Sequence, residues 1–195
     1  TALTSVSVSF TKAVVNVDMS DLEVNGSATA TALSGTGAGP YVFTIPQPVD
    51  GTVSFELLSG GIHEDGAPTN VFGGHTWSAS LDATLPQVDT TVPADGASVA
   101  ALTSVEVTFT EPVVNVDVSD LLVDGSATAT AISGADAGPY VFTIPQPADG
   151  AVSLELAVGA PAIEDLAGNA MGGAYPWSVV VDTQAPSLDT ASLNP

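Results

Sequence analysis

The chain spells nearly the same passage twice. Of the 53 residues from Ser5 to Leu57, 40 recur at an offset of 99, from Ser104 to Leu156. The offset is 100 at Trp77 and Trp177, and Asp82 to Thr90 (DATLPQVDT) recurs as Asp182 to Thr190 (DTQAPSLDT). A passage that folds once folds twice, so any single fused core is an unfavoured solution. The 195 residues suit two domains of about 100 residues each. The second copy opens near Leu85 with PQVDTTVPADGAS, ahead of its first long strand; the first copy starts directly at Ala2-Leu3-Thr4-Ser5. The expected modules are therefore 1–84, with its first strand missing, and 85–185. Residues 186–195 read as the start of a following repeat, or as an assembly tail that completes another molecule by strand addition.

Alternation of period two marks strands throughout. Val105, Val107 and Phe109 point one way, and Ser104, Glu106 and Thr108 the other. Ala127 to Ile132 and Tyr140 to Ile144 flank a Gly-rich turn, which predicts a hairpin. Val152, Leu154, Leu156 and Val158 line a second inward face, and Trp177, Val179 and Val181 a third. Pro145-Gln146-Pro147-Ala148-Asp149-Gly150 is a turn, because Pro presets φ and Gly accepts positive φ. No segment keeps a helical period. About seven short strands per module predict an all-β chain of two tandem β-sandwich domains. Trp77 and Trp177 are expected in the cores.

Charge narrows the function. There are 22 Asp and Glu against one base, Lys12, for a formal charge of −21. That excludes nucleic acid, whose phosphates need Lys and Arg, and anionic membrane surfaces. It favours divalent cations or a salty medium. The absence of cysteine removes disulfides, zinc-thiolate sites and thiol catalysis together. No run of 18 apolar residues exists, so no membrane insertion is expected. A mean hydropathy of +0.37 leaves apolar surface for lateral contacts in a filament.

Four stretches carry a family likeness: VTFTEPVVNVDVSDLLVDG, GPYVFTIPQPADGAVSLELAVGA, IEDLAGN and WSVVVDTQAP. Together the set resembles the bacterial immunoglobulin-like (Big-type) tandem repeats of large secreted and surface proteins. The likeness covers the second copy and most of the first; Ile62 to Asn70 departs from it. It implies two tandem immunoglobulin-like β-sandwich domains in an extracellular or cell-surface array. The partners it implies are neighbouring repeats of the same protein, or like molecules in a fibre.

Loops alternate between the ends of a sandwich. Thr110 to Asp120, Ser133 to Gly138 and Glu164 to Gly173 are thus expected at one end of the second module, with the linker. The acids so gathered are Asp82, Asp89, Glu111, Asp117, Asp120, Asp136, Glu164 and Asp165. Calcium takes six to eight oxygens, so these are the candidate ligands for that cofactor. The competing reading is that Asp and Asn simply form exposed turns. Lys12 stands where Glu111 stands, so a cation should prefer the second module. His63 and His75 occur only in the first copy, with irregular spacing to Glu64 and Asp65, which fits no dedicated metal site. No nucleophile triad, phosphate loop or catalytic pair stands out, and no enzyme is expected. A structural or adhesive spacer in an adhesin or fibre is the leading function. The alternatives are a carbohydrate- or protein-binding module and an accessory domain of a secreted enzyme.

Overall fold

A computed structural model describes residues 2–189. The chain divides into two compact units, Thr1–Thr84 and Leu85–Pro195. Both are all-β, built of several small sheets.

In the first unit the strands are β1 (Ser5–Val8), β2 (Val14–Val15), β3 (Leu22–Val24), β4 (Ala32–Ser34), β5 (Tyr41–Thr44), β6 (Gly51–Leu57), β7 (His63–Glu64), β8 (Ala67–Val71) and β9 (His75–Leu81). They form three antiparallel sheets, in the orders β1-β5-β4, β3-β6-β9 and β2-β7-β8. The second unit has β10 (Val88–Val92), β11 (Ser98–Val99), β12 (Ser104–Phe109), β13 (Val113–Val114), β14 (Leu121–Val123), β15 (Ser126–Ala127), β16 (Ala131–Ser133), β17 (Tyr140–Thr143), β18 (Gly150–Leu156), β19 (Glu164–Asp165) and β20 (Tyr175–Val181). Its sheets run β10-β12-β17-β16, β11-β20-β18-β14-β15 and β13-β19. Only β11 and β20 pair in parallel among these described strands.

Alternation decides which faces are buried. Along β18, Val152, Leu154 and Leu156 are buried while Ala151 and Ser153 are exposed. Along β20, Trp177, Val179 and Val181 are buried. Their neighbours across the sheet complete one cluster with Val105, Val107, Phe109, Tyr140 and Phe142 from the other sheet. The first unit repeats this with Val53, Phe55 and Leu57 on β6 and Tyr41 and Phe43 on β5. Each such side chain, fully buried, contributes about 1.5–3 kcal/mol, and with no disulfide this packing holds the unit together.

Local devices recur in both copies. The Tyr140 hydroxyl donates to Val113 O at 3.1 Å and Asp136 O at 3.2 Å. Tyr41 does the same to Val14 O and Gly37 O at the same distances. Both ring bodies stay in the core while the hydroxyls clamp two loops. At Gly134, φ is +133°, and a Cβ there would meet Pro139 O at 2.5 Å. Only glycine fits that approach.

Two expectations need adjustment. The strand expected over Ala127 to Ile132 is two strands. Ser126–Ala127 pairs with β14, and Ala131–Ser133 pairs with β17 in another sheet. Small residues across SATATA offer no strong alternation to hold one register. Trp177 is 5% exposed, as expected of a core residue, but Trp77 is only half-buried against its cluster. Residues 186–189 form no strand, and the rest of the tail expected at 186–195 lies outside the described residues.

Candidate functional site

The acidic residues of the second unit fall into separate local arrangements. The first is a turn before β14. Asp117 and Asp120 bond to each other, Asp117 N–H donating to Asp120 Oδ2 at 2.8 Å and Asp120 N–H to Asp117 O at 3.2 Å, while Asp117 Oδ1 accepts from Ser119 N–H at 2.7 Å. The Ser119 hydroxyl and backbone hold the Asp117 carboxyl below its ordinary range. Asp120 is 1% exposed, and burial raises its pKa against the pull of the Asp117 N–H; the Asp117 charge adds to the rise. The same reciprocal cap occurs at Asp18 and Asp21 in the first unit. These carboxylates work chiefly as turn formers.

The second arrangement is centred on Asp165, which is 2% exposed. Its Oδ1 accepts from the N–H groups of Ala167 and Asn169, each at 2.8 Å, and Oδ2 from Asn169 Nδ2 at 2.7 Å. Burial pushes its pKa up, but the donors of Asn169, Ala167 and Gly168 outweigh it and hold the carboxyl below its usual value. The β13–β19 pairing sets Val113 against Asp165 and Val114 against Glu164. That pairing brings a carboxylate oxygen of Glu111, two residues before β13, within 4.8 Å of one on Asp165.

Asp136, Glu164, Asp89 and Asp82 are the remaining candidates. Asp136 is exposed, in a loop at φ +55°, and offers its backbone carbonyl to Val113 N–H at 3.0 Å. Glu164 is half-buried on β19, and Asp89 is exposed at an irregularity in β10. In the first unit, Asp82 follows β9 and accepts from Thr84 N–H at 3.2 Å.

The first unit shows what stands in the place of the Glu111–Asp165 pair. Its β2–β7 ladder sets Val14 against Glu64, as Val113 is set against Asp165. Lys12 Nζ lies 2.9 and 3.0 Å from the two Glu64 oxygens, and Asn70 Nδ2 donates to Glu64 Oε2 at 2.7 Å. Lys12 and then Asn70 hold the Glu64 carboxyl below its ordinary range. Asn169 is thus the residue that the sequence reading left out of its candidate set, and its signal was the recurrence of Asn70 at the offset of 99. The histidines do other work: His63 Nε2 is 3.1 Å from Asn16 Nδ2, and His75 stacks on Trp77.

The sequence profile described as "Bacterial Ig-like domain" matches residues 82–179, just over half of the chain. The chain belongs to that family, and it is a non-enzymatic structural module. Among solved structures it is similar to the one titled "Crystal structure of the S-layer protein rSbsC(31-844)", at 17% identity and a TM-score of 0.31. That likeness covers 85% of this chain and 20% of that chain, so the present chain spans about one fifth of its length. A comparison with curated proteins gave no match.

Proposed function

We propose that the chain is a pair of tandem immunoglobulin-like β-sandwich modules acting as a structural or adhesive spacer in an extracellular or cell-surface repeat protein. The observation that carries this reading is that each unit encloses its own apolar cluster, made from the same repeated strands. Such modules add in series, and each keeps its own stability. Family membership supports the reading, as does the acidic, cysteine-free composition. The natural partners are neighbouring repeats and like molecules in a fibre.

Pulling single molecules should give two unfolding events of similar contour length. An antibody to the chain should label intact producing cells. A single unfolding event, or labelling only after permeabilisation, would sink the proposal.

Calcium belongs to the same proposal. The observation favouring it is the exchange of Lys12 for Glu111 beside an equivalent buried or half-buried carboxylate. A divalent cation at Glu111 and Asp165 supplies the positive charge that the ammonium supplies in the first unit.

A further inference from the structure

One turn of the first unit carries an amide where the second unit carries an acid. Asn25 and Gly26 join Val24 to Ser27 in a two-residue turn, with φ of +51° and +75°. Positive φ at both positions is what an Asn-Gly or Asp-Gly pair supplies. Asp124 and Gly125 form the corresponding turn at +49° and +76°. Both turns dock on the neighbouring strand in the same way. Ser54 N–H donates to Asn25 Oδ1, and Ser153 N–H to Asp124 Oδ1, each at 2.9 Å. The serine hydroxyls lie 3.4 and 3.3 Å from the same oxygens. All of this bonding uses an oxygen, so the fold needs no amide at residue 25.

Asn25 differs from the other described asparagines in what its nitrogen does. Asn16 Nδ2 lies 3.1 Å from His63 Nε2. Asn70, Asn115 and Asn169 donate Nδ2 to Glu64, the Ala162 carbonyl and Asp165, at 2.7, 3.1 and 2.7 Å. Asn25 is exposed, and its Nδ2 has no partner among the described residues. Asn25 alone among them is followed by glycine; the others precede valine or alanine. Asparagine is a thermolabile side chain because the next backbone nitrogen can attack its carboxamide. A side chain on that next residue hinders the approach, and Gly26 has none. Ser27 N–H is held by Val24 O at 3.1 Å and Asn25 N–H by Ser54 O at 2.8 Å, while Gly26 N–H has no partner among the described residues.

We propose that Asn25 and Gly26 form a self-modification site, at which the chain converts its own carboxamide to a carboxylate. Gly26 N gives up its proton and bonds to Asn25 Cγ. The Cγ–Nδ2 bond breaks, ammonia leaves with a proton, and a cyclic imide closes. Water then opens the ring. Attack at Cγ leaves an ordinary aspartate at position 25, whereas attack at the Asn25 backbone carbonyl carbon leaves a β-linked one that lengthens the main chain. The net change consumes water and releases ammonia, with no oxidant or reductant. Ser54 decides between the two products. Its N–H is already aimed at Oδ1, where negative charge develops as Cγ is attacked, so it favours both ring closure and ring opening at Cγ. The folded chain therefore yields the ordinary aspartate, the residue type that Asp124 already supplies in the second unit. This inference stands on the turn and does not depend on the spacer role.

The test is incubation of the purified chain in mild acid and mild base, with and without urea, followed by peptide mapping in a mass spectrometer. Conversion is expected at residue 25 before Asn16, Asn70, Asn115 or Asn169, and faster in base, because the attacking nitrogen must lose its proton. Each conversion adds a negative charge, which anion-exchange chromatography resolves. An isoaspartyl methyltransferase labels only the β-linked product. At equal conversion it should label the chain incubated in urea more heavily than the folded chain. Asn25→Asp should keep the melting curve of the parent and show no mass change in this peptide. First conversion at another asparagine, equal labelling of folded and unfolded chains, or a lowered melting temperature in Asn25→Asp would each overturn the inference.

Discussion

Lys12 and Glu111 occupy the same place in their two units and carry opposite charges. Each lies beside an acidic residue of a paired two-residue strand, Glu64 for Lys12 and Asp165 for Glu111. The direct consequence is an asymmetric response to cations. Calcium should raise the melting temperature of the chain, and Glu111→Lys should abolish that response while raising stability in chelator. The change in sign follows from replacing a like-charge neighbour of Asp165 with an opposite one. Thermal unfolding of both proteins with calcium and with chelator measures it. An unchanged melting temperature on adding calcium to the parent chain ends the case for the cation.

Asp165 should make stability depend on pH at the acid end. Its folded pKa is lowered by its donors, so the unfolded chain takes up its proton first as pH falls. The stability it contributes is full above the unfolded carboxylate value of about 3.9 and is lost as pH falls through the lower folded value. Asp165→Asn keeps the size, loses the charge and leaves backbone donors with a weaker acceptor. A cost of about 1–3 kcal/mol near neutrality is expected, with a flatter acid limb. Urea unfolding as a function of pH reads both.

Asp120 should behave in the opposite sense. Burial raises its folded pKa, so its contribution is best below the unfolded value and declines as pH rises through the folded one. Asp120→Asn can still accept the Asp117 N–H but has no charge to desolvate. The variant should melt higher than the parent at neutral pH and show no gain in strong acid. A lower melting temperature at both pH values would refute this account.

The Tyr140 hydroxyl joins the β13 edge to the loop at Asp136 from inside the core. Tyr140→Phe keeps the ring and removes two hydrogen bonds to carbonyls. The expected loss is about 1–2 kcal/mol in denaturant unfolding. Tyr41→Phe should cost a similar amount in the first unit, because its two distances are the same. Unequal costs would mean that the two clamps are not equivalent.

Much of this was legible in the sequence because alternation survives where strands have one buried face. Val152, Leu154 and Leu156 are an example, and their burial follows the period of two. The turn acids were legible as acids but not as caps, since reciprocal bonding between Asp117 and Asp120 depends on backbone angles. The correspondence of Glu64 to Asp165 was obscured by loop length. Leu57 and Leu156 are 99 apart, Ile62 and Ile163 are 101 apart, and Phe72 and Met171 return to 99. Only the ladders reveal that shift, because register is set by long-range pairing rather than by local sequence.

The two tryptophans make the difference between the units visible in solution. Trp177 is 5% exposed, and its Nε1 is buried with no hydrogen-bond partner among the described residues. Trp77 stacks on Phe55 with ring centroids 5.3 Å apart and stays half-exposed. β20 has β11 on its outer side, whereas β9 ends its sheet among the described residues. A soluble quencher should therefore reach Trp77 far more readily than Trp177. Trp177→Phe should leave a red-shifted emission that acrylamide quenches strongly, and Trp77→Phe a blue-shifted emission that resists it. Equal quenching in the two single-tryptophan variants would mean that the exposed edge of the first unit is covered in solution.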